Sequence, residues 1–283
     1  MNTTNKHDLP SWLYRLLNYD TYGRGNMPSD ISVTQLIDSP MVRRLRIDHK
    51  DAIEEEAVDR LWSVYGTAIH DRAQEANSNS ADVIMEKRLY HRIGDKVLSG
   101  QFDIYEPHAK NLTDIKVTSA WSVTYGGNSK WEPQLNVLAY LLKQHDYEVK
   151  SLTIGAILRD WQRSKAGDGN YPSLPVQLID IPLWSEPKQL QYIIGRMRMH
   201  FEDEPTCSDE ERWRTPDKFA VMKEGRKSAL RVLDTKDGAE RWQAANTRES
   251  DGTYIDYRAG AYKRCEAYCS VADFCAINHS KEQ

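Results

Sequence analysis

The sequence predicts an α/β protein, because runs with the two-residue period of strands alternate with runs that have the period of helices. The clearest strand signal covers residues 97–105 and 111–116, which alternate apolar and polar residues on either side of a turn-forming segment at 106–110. Apolar stripes typical of helices occur in residues 54–76, 131–144 and 187–201. Further strands are predicted at 82–93, 149–161 and 175–181. We therefore expect an antiparallel hairpin around which the other elements are arranged.

Composition limits the size, the location and the partners of the protein. The chain has 283 residues, 40% hydrophobic and 28% charged, which fits one large globular domain or one domain with an added lid. Its net charge of −4 gives no overall basic field, so any contact with nucleic acid must come from local basic patches. No run reaches the apolar length of a membrane span, and residues 1–8 lack the apolar core of a signal peptide. We expect a cytoplasmic protein without membrane contact.

The hairpin carries polar side chains that are predicted to converge. Asp114 and Lys116 are two residues apart on the second strand and point to one face, while Ile115 points to the core. Asp103 lies near the end of the first strand, and pairing of the strand ends would bring it beside them. Two adjacent carboxylates repel unless a cation lies between them, and their hard oxygens suit Mg²⁺ or Mn²⁺. With a lysine to hold water, this set suits metal-assisted phosphodiester hydrolysis. The alternative is a solvated strand face with a weak ion pair.

Several further motifs accompany the hairpin in a definite order. They are Gly66-Thr67-Ala68-Ile69-His70, Glu86 in a strand, Gly100-Gln101-Phe102-Asp103, Asp114-Ile115-Lys116 and Trp131-Glu132-Pro133-Gln134. In this order and spacing the sequence resembles the PD-(D/E)XK nuclease superfamily, and within it the RecB-like group of phage exonucleases and CRISPR-associated adaptation nucleases. The resemblance covers residues 31–145, and a Cys-rich tail extends it to about residue 275.

The resemblance implies a restriction-endonuclease-like core with a central mixed β-sheet flanked by helices, followed by a C-terminal Cys-rich lid. We therefore expect an N-terminal helix and loop at residues 1–30, the nuclease core at 31–203, and a basic hairpin with the lid at 204–283. At the start of the core, Ser32 or Thr34 is a suitable cap for a helix. If the chain comes from a phage, its expected location is the host cytoplasm.

The resemblance also implies a function, which is metal-dependent hydrolysis of DNA by an exonuclease in recombination, repair or degradation. The implied ligands of Mg²⁺ or Mn²⁺ are His70, Asp103, Asp114 and the main-chain carbonyl of Ile115. Lys116 would orient or activate water, and Gln134 would help to position the scissile phosphate. Glu86 and Tyr140 would lie next to the metal ligands without binding the metal themselves. Glu86 equally fits an ordinary charged residue on an exposed strand face.

The partner implied by the resemblance is DNA that is single-stranded or has free ends. Three alternatives stay open at this point. A module of the same fold could bind nucleic acid without cutting it, the nuclease could be of the CRISPR-adaptation type, or the enzyme could hydrolyse a substrate that is not a nucleic acid. Loss of the lysine or of an acidic ligand would mark the first alternative, and neither is lost in this sequence.

The cysteines of the chain are Cys207, Cys265, Cys269 and Cys275. In a reducing compartment, such clustering favours a metal over disulfides. Iron-sulfur members of the RecB-like group end in a similar three-cysteine run, with the fourth cysteine before an early proline, where this chain has Ser39 before Pro40. Either Cys207 takes the fourth position or the site is incomplete. We expect a structural [4Fe-4S] cluster, with zinc as the alternative.

The most basic segment of the chain precedes this cysteine run and is predicted to form a hairpin. Its basic residues are Lys218, Lys223, Arg226, Lys227 and Arg231. Since phosphates are bound chiefly by such side chains, this segment is the candidate contact for the DNA backbone. An ordinary solvated hairpin would have the same composition.

Overall fold

A computed structural model of the chain describes residues 2–19 and 27–279, which divide into two compact units between Pro205 and Thr206. The strands are β1 (Asn2–Thr4), β2 (Ile31–Ser32), β3 (Glu54–Glu56), β4 (Ile84–Ile93), β5 (Lys96–Glu106), β6 (Asn111–Thr118), β7 (Ser151–Leu158), β8 (Val176–Ile181), β9 (Lys218–Lys223), β10 (Arg231–Leu233) and β11 (Thr253–Arg258). The helices are α1 (Ser11–Asn18), α2 (Val33–Leu36), α3 (Pro40–Asp48), α4 (Leu61–Ala76), α5 (Ala120–Thr124), α6 (Trp131–Lys143), α7 (Glu186–Phe201), α8 (Lys236–Asn246), α9 (Lys263–Ala267) and α10 (Ala276–His279).

The first unit contains a mixed sheet in the order β2-β5-β6-β7-β8, with β4 on the remaining edge of β5. Strand β6 runs antiparallel to β5 and parallel to β7, and β8 runs antiparallel to β7. Helices α4 and α6 pack against this sheet, and α7 packs against α6. The predicted α/β architecture with a central mixed sheet is therefore present, and the Cys-rich lid stays a prediction.

Strand β5 shares one of its edges between two partners. Strand β2 pairs in parallel with Leu98 and Ser99, and β6 pairs only with residues 104–106. The stretch between them, residues 100–103, has no strand neighbour on that edge in the described part of the chain. The predicted hairpin is thus confirmed, but its strands pair only near the turn and then separate, which leaves an opening in the sheet.

Helix α6 covers this part of the sheet with an apolar face. Its residues Leu135, Leu138 and Leu141 are buried, and full burial of each contributes roughly 1.5–3 kcal/mol. The helix approaches β5 so closely at Gly100 that an added Cβ would lie 2.7 Å from a Leu141 methyl carbon and 2.8 Å from a Leu138 methyl carbon. Only glycine fits there without a shift of these side chains, so Gly100 allows α6 to pack against the strand that leads to Asp103.

The start of α4 differs from the sequence prediction. A helix was expected over residues 54–76, but Glu54–Glu56 form β3, which pairs in parallel with β1, and a 3₁₀ turn follows at Ala57–Arg60. The pairing partner lies about fifty residues earlier, so a distant contact overrides local helix propensity. The predicted Ser32 cap is confirmed, because its hydroxyl accepts from the Gln35 amide at 3.2 Å. Residues 20–26 of the predicted N-terminal loop lie outside the described residues.

The second unit contains a three-stranded antiparallel sheet in the order β10-β9-β11. The predicted hairpin at 218–233 is confirmed as β9 and β10, while β11 was not predicted. Helix α8 begins at Lys236, because the Thr235 hydroxyl caps it by accepting from the Gly238 amide at 3.1 Å. Among the helices that the structure describes, none is long and apolar enough to cross a membrane.

Candidate active site

Asp103 and Asp114 lie where β5 and β6 separate. The last paired residues are Ile104 and Thr113, so the register places the two carboxylates opposite each other one step beyond. Asp103 Oδ2 accepts a 2.7 Å hydrogen bond from the Ile115 amide and so fills part of the gap between the strands. Because the N–H and C=O of one strand residue point the same way, the Ile115 carbonyl also faces this gap.

Both carboxyl groups are buried, with Asp103 9% exposed and Asp114 2% exposed. Burial, together with the negative charge of Asp114, raises the pKa of Asp103 to about 7, although the charge of His70 opposes the rise. Asp114 Oδ2 accepts no hydrogen bond from the described residues, although Lys116 Nζ forms an ion pair with it at 2.7 Å. Two buried carboxylates with an incompletely satisfied oxygen form a pair that a cation would stabilise.

Helix α4 and strand β4 bring two more donors to the carboxylates. His70 Nδ1 lies 3.0 Å from Glu86 Oε1 and 3.7 Å from Asp103 Oδ2. The hydrogen bond with Glu86 raises the pKa of His70, against the effect of burial. Donor atoms of His70, Glu86 and Asp103 all lie within 4.8 Å of one another, a grouping that could hold a metal ion. Glu86 has a φ of 49° inside β4, a left-handed conformation that is strained for glutamate.

Gln134 connects the lysine to the second carboxylate. Its Nε2 donates to Asp114 Oδ1 at 2.9 Å, and its Oε1 accepts from Lys116 Nζ at 3.1 Å. Gln134 lies in the first turn of α6, where the helix reaches the opening in the sheet. The amide thus holds both charged groups in fixed positions.

The structure adds a residue that the sequence analysis left without a role. Gln101 donates from Nε2 to Glu86 Oε2 at 2.7 Å and accepts at Oε1 from Arg88 at 3.1 Å, so it orients the Glu86 carboxylate. Its sequence signal was its position two residues before Asp103, on the same strand face. These side chains line a cleft of about 350 Å³ together with Thr34, Gly66, Thr67, Asp71 and Gln74.

Tyr140 is not brought to the cleft. It is 6% exposed within the hydrophobic core, and its ring meets the ring of His91 edge-on at 5.9 Å. It lies six positions after Gln134 on α6, which turns it about 240° around the helix and away from the site. Glu86, by contrast, directly contacts the predicted ligand His70.

The basic hairpin lies in the second unit, and its side chains fall into two groups. Lys218 forms an ion pair with Asp234, and Lys223 forms one with Asp251 at 3.1 Å. The remaining predicted contacts, Arg226, Lys227 and Arg231, are exposed.

The four cysteines also lie in the second unit, and each is half-buried. The Arg264 amide donates to the Arg212 carbonyl at 3.2 Å, which brings the segment after Cys207 beside Cys265. Four thiolates on one zinc ion are about 3.8 Å apart, as follows from the Zn–S bond length. Among the described residues, no three cysteine sulfurs lie within 4.8 Å of one another.

A scan against protein-family models finds no match, and a search of curated proteins finds no relative. Among solved structures, that of SSO0001 is 15% identical, with a TM-score of 0.48, and the alignment covers 71% of this chain and 89% of that one. A protein from Eubacterium rectale, described as a candidate exonuclease, is 13% identical with a TM-score of 0.33, covering 64% of this chain and 73% of that one. Both TM-scores are below 0.5, so the function of this chain has to be argued from its own cleft.

Proposed function

We propose that the cleft is the active site of a divalent-metal-dependent nuclease with a restriction-endonuclease-like core. The observation that carries this proposal is the burial of Asp103 opposite Asp114, with Lys116 held beside them. Burying two facing carboxylates is unfavourable for a purely structural site, which would be more stable with apolar side chains. A site that must bind a cation needs both of them.

The donor set fits Mg²⁺ or Mn²⁺. His70, Asp103, Asp114 and the Ile115 carbonyl would hold the ion, and Glu86 lies close enough to His70 and Asp103 to serve as a further donor. Carboxylate and carbonyl oxygens are the ligands that these cations prefer, and an imidazole is compatible with Mn²⁺. When bound, the ion would lower the pKa of water and stabilise the charge that develops on the phosphate.

Lys116 supplies the remaining positive charge. An ammonium has three N–H donors; one bonds to Gln134 Oε1 at 3.1 Å, and the charge forms an ion pair with Asp114 Oδ2 at 2.7 Å. At least one N–H remains to hold an attacking water or a phosphate oxygen. Because the Gln134 side-chain amide also donates a hydrogen bond to Asp114, this geometry exists before substrate binds. Preorganised charges of this kind are the most effective at lowering the activation barrier.

The proposed substrate is DNA with free ends, cut by an exonuclease. The chain carries no motif for reading a base sequence. A plasmid incubated with the protein as a closed circle and as a linear form tests this directly. We expect degradation of the linear form in Mg²⁺ or Mn²⁺ and none in EDTA. Equal rates of degradation of the closed circular and the linear plasmid would identify an endonuclease.

Substitution of the cleft residues tests the assignment of the site. We expect Lys116→Ala and Asp114→Ala each to lower the rate of DNA hydrolysis by about 10³-fold or more, because the first removes the ammonium beside the reacting phosphate and the second removes a proposed metal ligand. Asp180→Ala is the matched control, since Asp180 is an exposed carboxylate on β8 of the same sheet. Undiminished hydrolysis by either cleft variant, at native thermal stability, would refute the site.

Two parts of the proposal concern the second unit. Cys207, Cys265, Cys269 and Cys275 would bind a [4Fe-4S] cluster, with zinc as the weaker option because zinc-binding cysteine pairs more often have a spacing of two residues. The support is that all four thiols belong to one unit and that main-chain pairing brings the Cys207 segment beside Cys265. The exposed side chains of the basic hairpin would contact the DNA backbone.

A further inference from the structure

Two pairs of aromatic rings and cations lie in the first unit. The Arg159 guanidinium lies over the indole of Trp62, 4.6 Å from its centroid. The Lys165 ammonium lies 5.5 Å from the centroid of the Trp121 ring, which also stacks on Tyr125 with centroids 6.0 Å apart and planes 21° from parallel. We call these five side chains the aromatic platform.

The aromatic platform is attached to the elements that build the cleft. Trp62 precedes His70 by eight residues on α4, so it lies about 12 Å from His70 along the same helix. Trp121 follows β6, the strand that carries the catalytic lysine, by three residues. The Arg159 amide donates to the Thr118 carbonyl at 3.0 Å, which places Arg159 beside the end of that strand. The platform therefore extends from both the helix and the strand that line the cleft.

The rings of the platform are unusually exposed for their size. Trp62 is 57% exposed, Trp121 45% and Tyr125 81%. Neither Arg159 nor Lys165 forms an ion pair with a carboxylate of the described residues. Open aromatic faces beside free cations match a ligand that has flat rings and regularly spaced negative charges. Unpaired bases on a phosphate backbone have both features.

We propose that the aromatic platform binds single-stranded DNA and leads it into the cleft. In a duplex the base faces are stacked on one another and cannot stack on Trp62 or Tyr125, so an unpaired strand is preferred. The delivery of DNA for cutting rests on the proposed nuclease function. Binding itself can be measured without cleavage.

The test uses the cleavage-deficient Lys116→Ala chain as background and a fluorescently labelled oligo(dT) as probe, with anisotropy as the readout. Trp62→Ala and Tyr125→Ala are each expected to weaken binding roughly 5- to 150-fold, the loss of one stacked base. Trp62→Phe should restore part of the loss. The matched control is Trp12→Ala, which removes an indole that is 63% exposed on α1, outside the platform. A blunt DNA hairpin should bind more weakly than oligo(dT) and should respond little to the same substitutions.

A second measurement separates this proposal from the nuclease assignment. The chain with Lys116 intact is assayed on bis(p-nitrophenyl) phosphate, a phosphodiester too small to span the cleft and the platform. If it is hydrolysed while Trp62→Ala and Tyr125→Ala bind oligo(dT) as tightly as Trp12→Ala does, the platform is wrong and the nuclease stands. If the variants lose affinity but no phosphodiester is cut, the platform stands as a binding site and the nuclease is wrong. Equal losses on oligo(dT) and on the hairpin would overturn the preference for single strands.

Discussion

The carboxylate cleft and the cysteine run are both predicted metal sites, but they differ in what holds their donors. In the cleft, Asp103 and Asp114 are fixed on adjacent strands. Gln134 donates a hydrogen bond to Asp114, and Gln101 donates one to Glu86. In the second unit, Cys265 lies on the short helix α9 and the other three cysteines lie in connecting segments, and no three of the described sulfurs come within 4.8 Å of one another. The donors of the first site are therefore already gathered by the fold, whereas metal binding by the cysteines stays a proposal.

This difference has opposite consequences for stability. A preassembled pair of carboxylates repels itself when the metal is absent, so the cleft should destabilise the metal-free protein. A centre that gathers its own ligands should stabilise the segments that it joins, because its binding free energy becomes folding free energy.

The largest effect is expected from Cys207→Ser. Anaerobically purified protein should be brown and contain iron and sulfide, and the variant should bleach and unfold at a lower temperature. Structural thiolate centres of zinc are worth roughly 10–16 kcal/mol, so loss of one ligand should cost several kcal/mol. Ala276→Ser, which adds a hydroxyl beside Cys275 and removes no thiol, is the control. Colourless protein with stoichiometric zinc would shift the assignment to zinc, and metal-free cysteines in a stable, active protein would refute it.

The next effect concerns Asp103 in the metal-free protein. Its pKa is raised from 3.8 to about 7, so the folded chain keeps a proton that the unfolded chain releases. Stability should fall as the pH rises from about 4 to 7 and stay low above that, a loss on the order of 4 kcal/mol at 1.36 kcal/mol per pKa unit. The raised pKa of His70 acts in the same direction, because its contribution is present at low pH and is lost as the pH rises through its folded pKa.

Asp103→Asn should remove most of this loss, since its amide oxygen can still accept from the Ile115 amide. In EDTA at pH 8, we expect a higher urea midpoint for the variant than for the natural chain, with little difference at pH 4. Added Mn²⁺ should raise the midpoint of the natural chain more than that of the variant. Asp180→Asn, on an exposed part of the sheet, should change neither midpoint. A variant that is no more stable than the natural chain at pH 8 would show that the facing carboxylates do not destabilise the fold.

The same contrast explains which features the sequence could predict. The strand period is two, so Asp114 and Lys116 had to share a face, and the short turn after β5 had to bring Asp103 back to them. No such period constrains the cysteines, because short helices and turns do not relate sequence spacing to distance. The left-handed backbone conformation of Glu86 and the pairing of β3 with β1 depend on residues far away in the chain. Local patterns carry no signal for them.

The smallest expected effect concerns the exposed basic side chains of the hairpin. Their substitution tests whether the second unit contacts DNA. Arg226 and Lys227 are exposed, whereas Lys218 and Lys223 are already engaged with Asp234 and Asp251. The logarithm of the DNA affinity falls linearly with the logarithm of the salt concentration. For a single strand, each lost phosphate contact makes this dependence shallower by about 0.7 in slope.

We expect Arg226→Gln and Lys227→Gln each to reduce that slope by about this amount in oligo(dT) binding, and Lys223→Gln to reduce it less, because its charge is partly neutralised by Asp251. Lys236→Gln is the control, since Lys236 is an exposed lysine of α8 in the same unit, paired with Glu240 at 3.5 Å. Slopes that are unchanged in both hairpin variants would show that this segment is a solvated surface. The DNA contact would then have to come from the first unit, where the aromatic platform already offers Arg159 and Lys165.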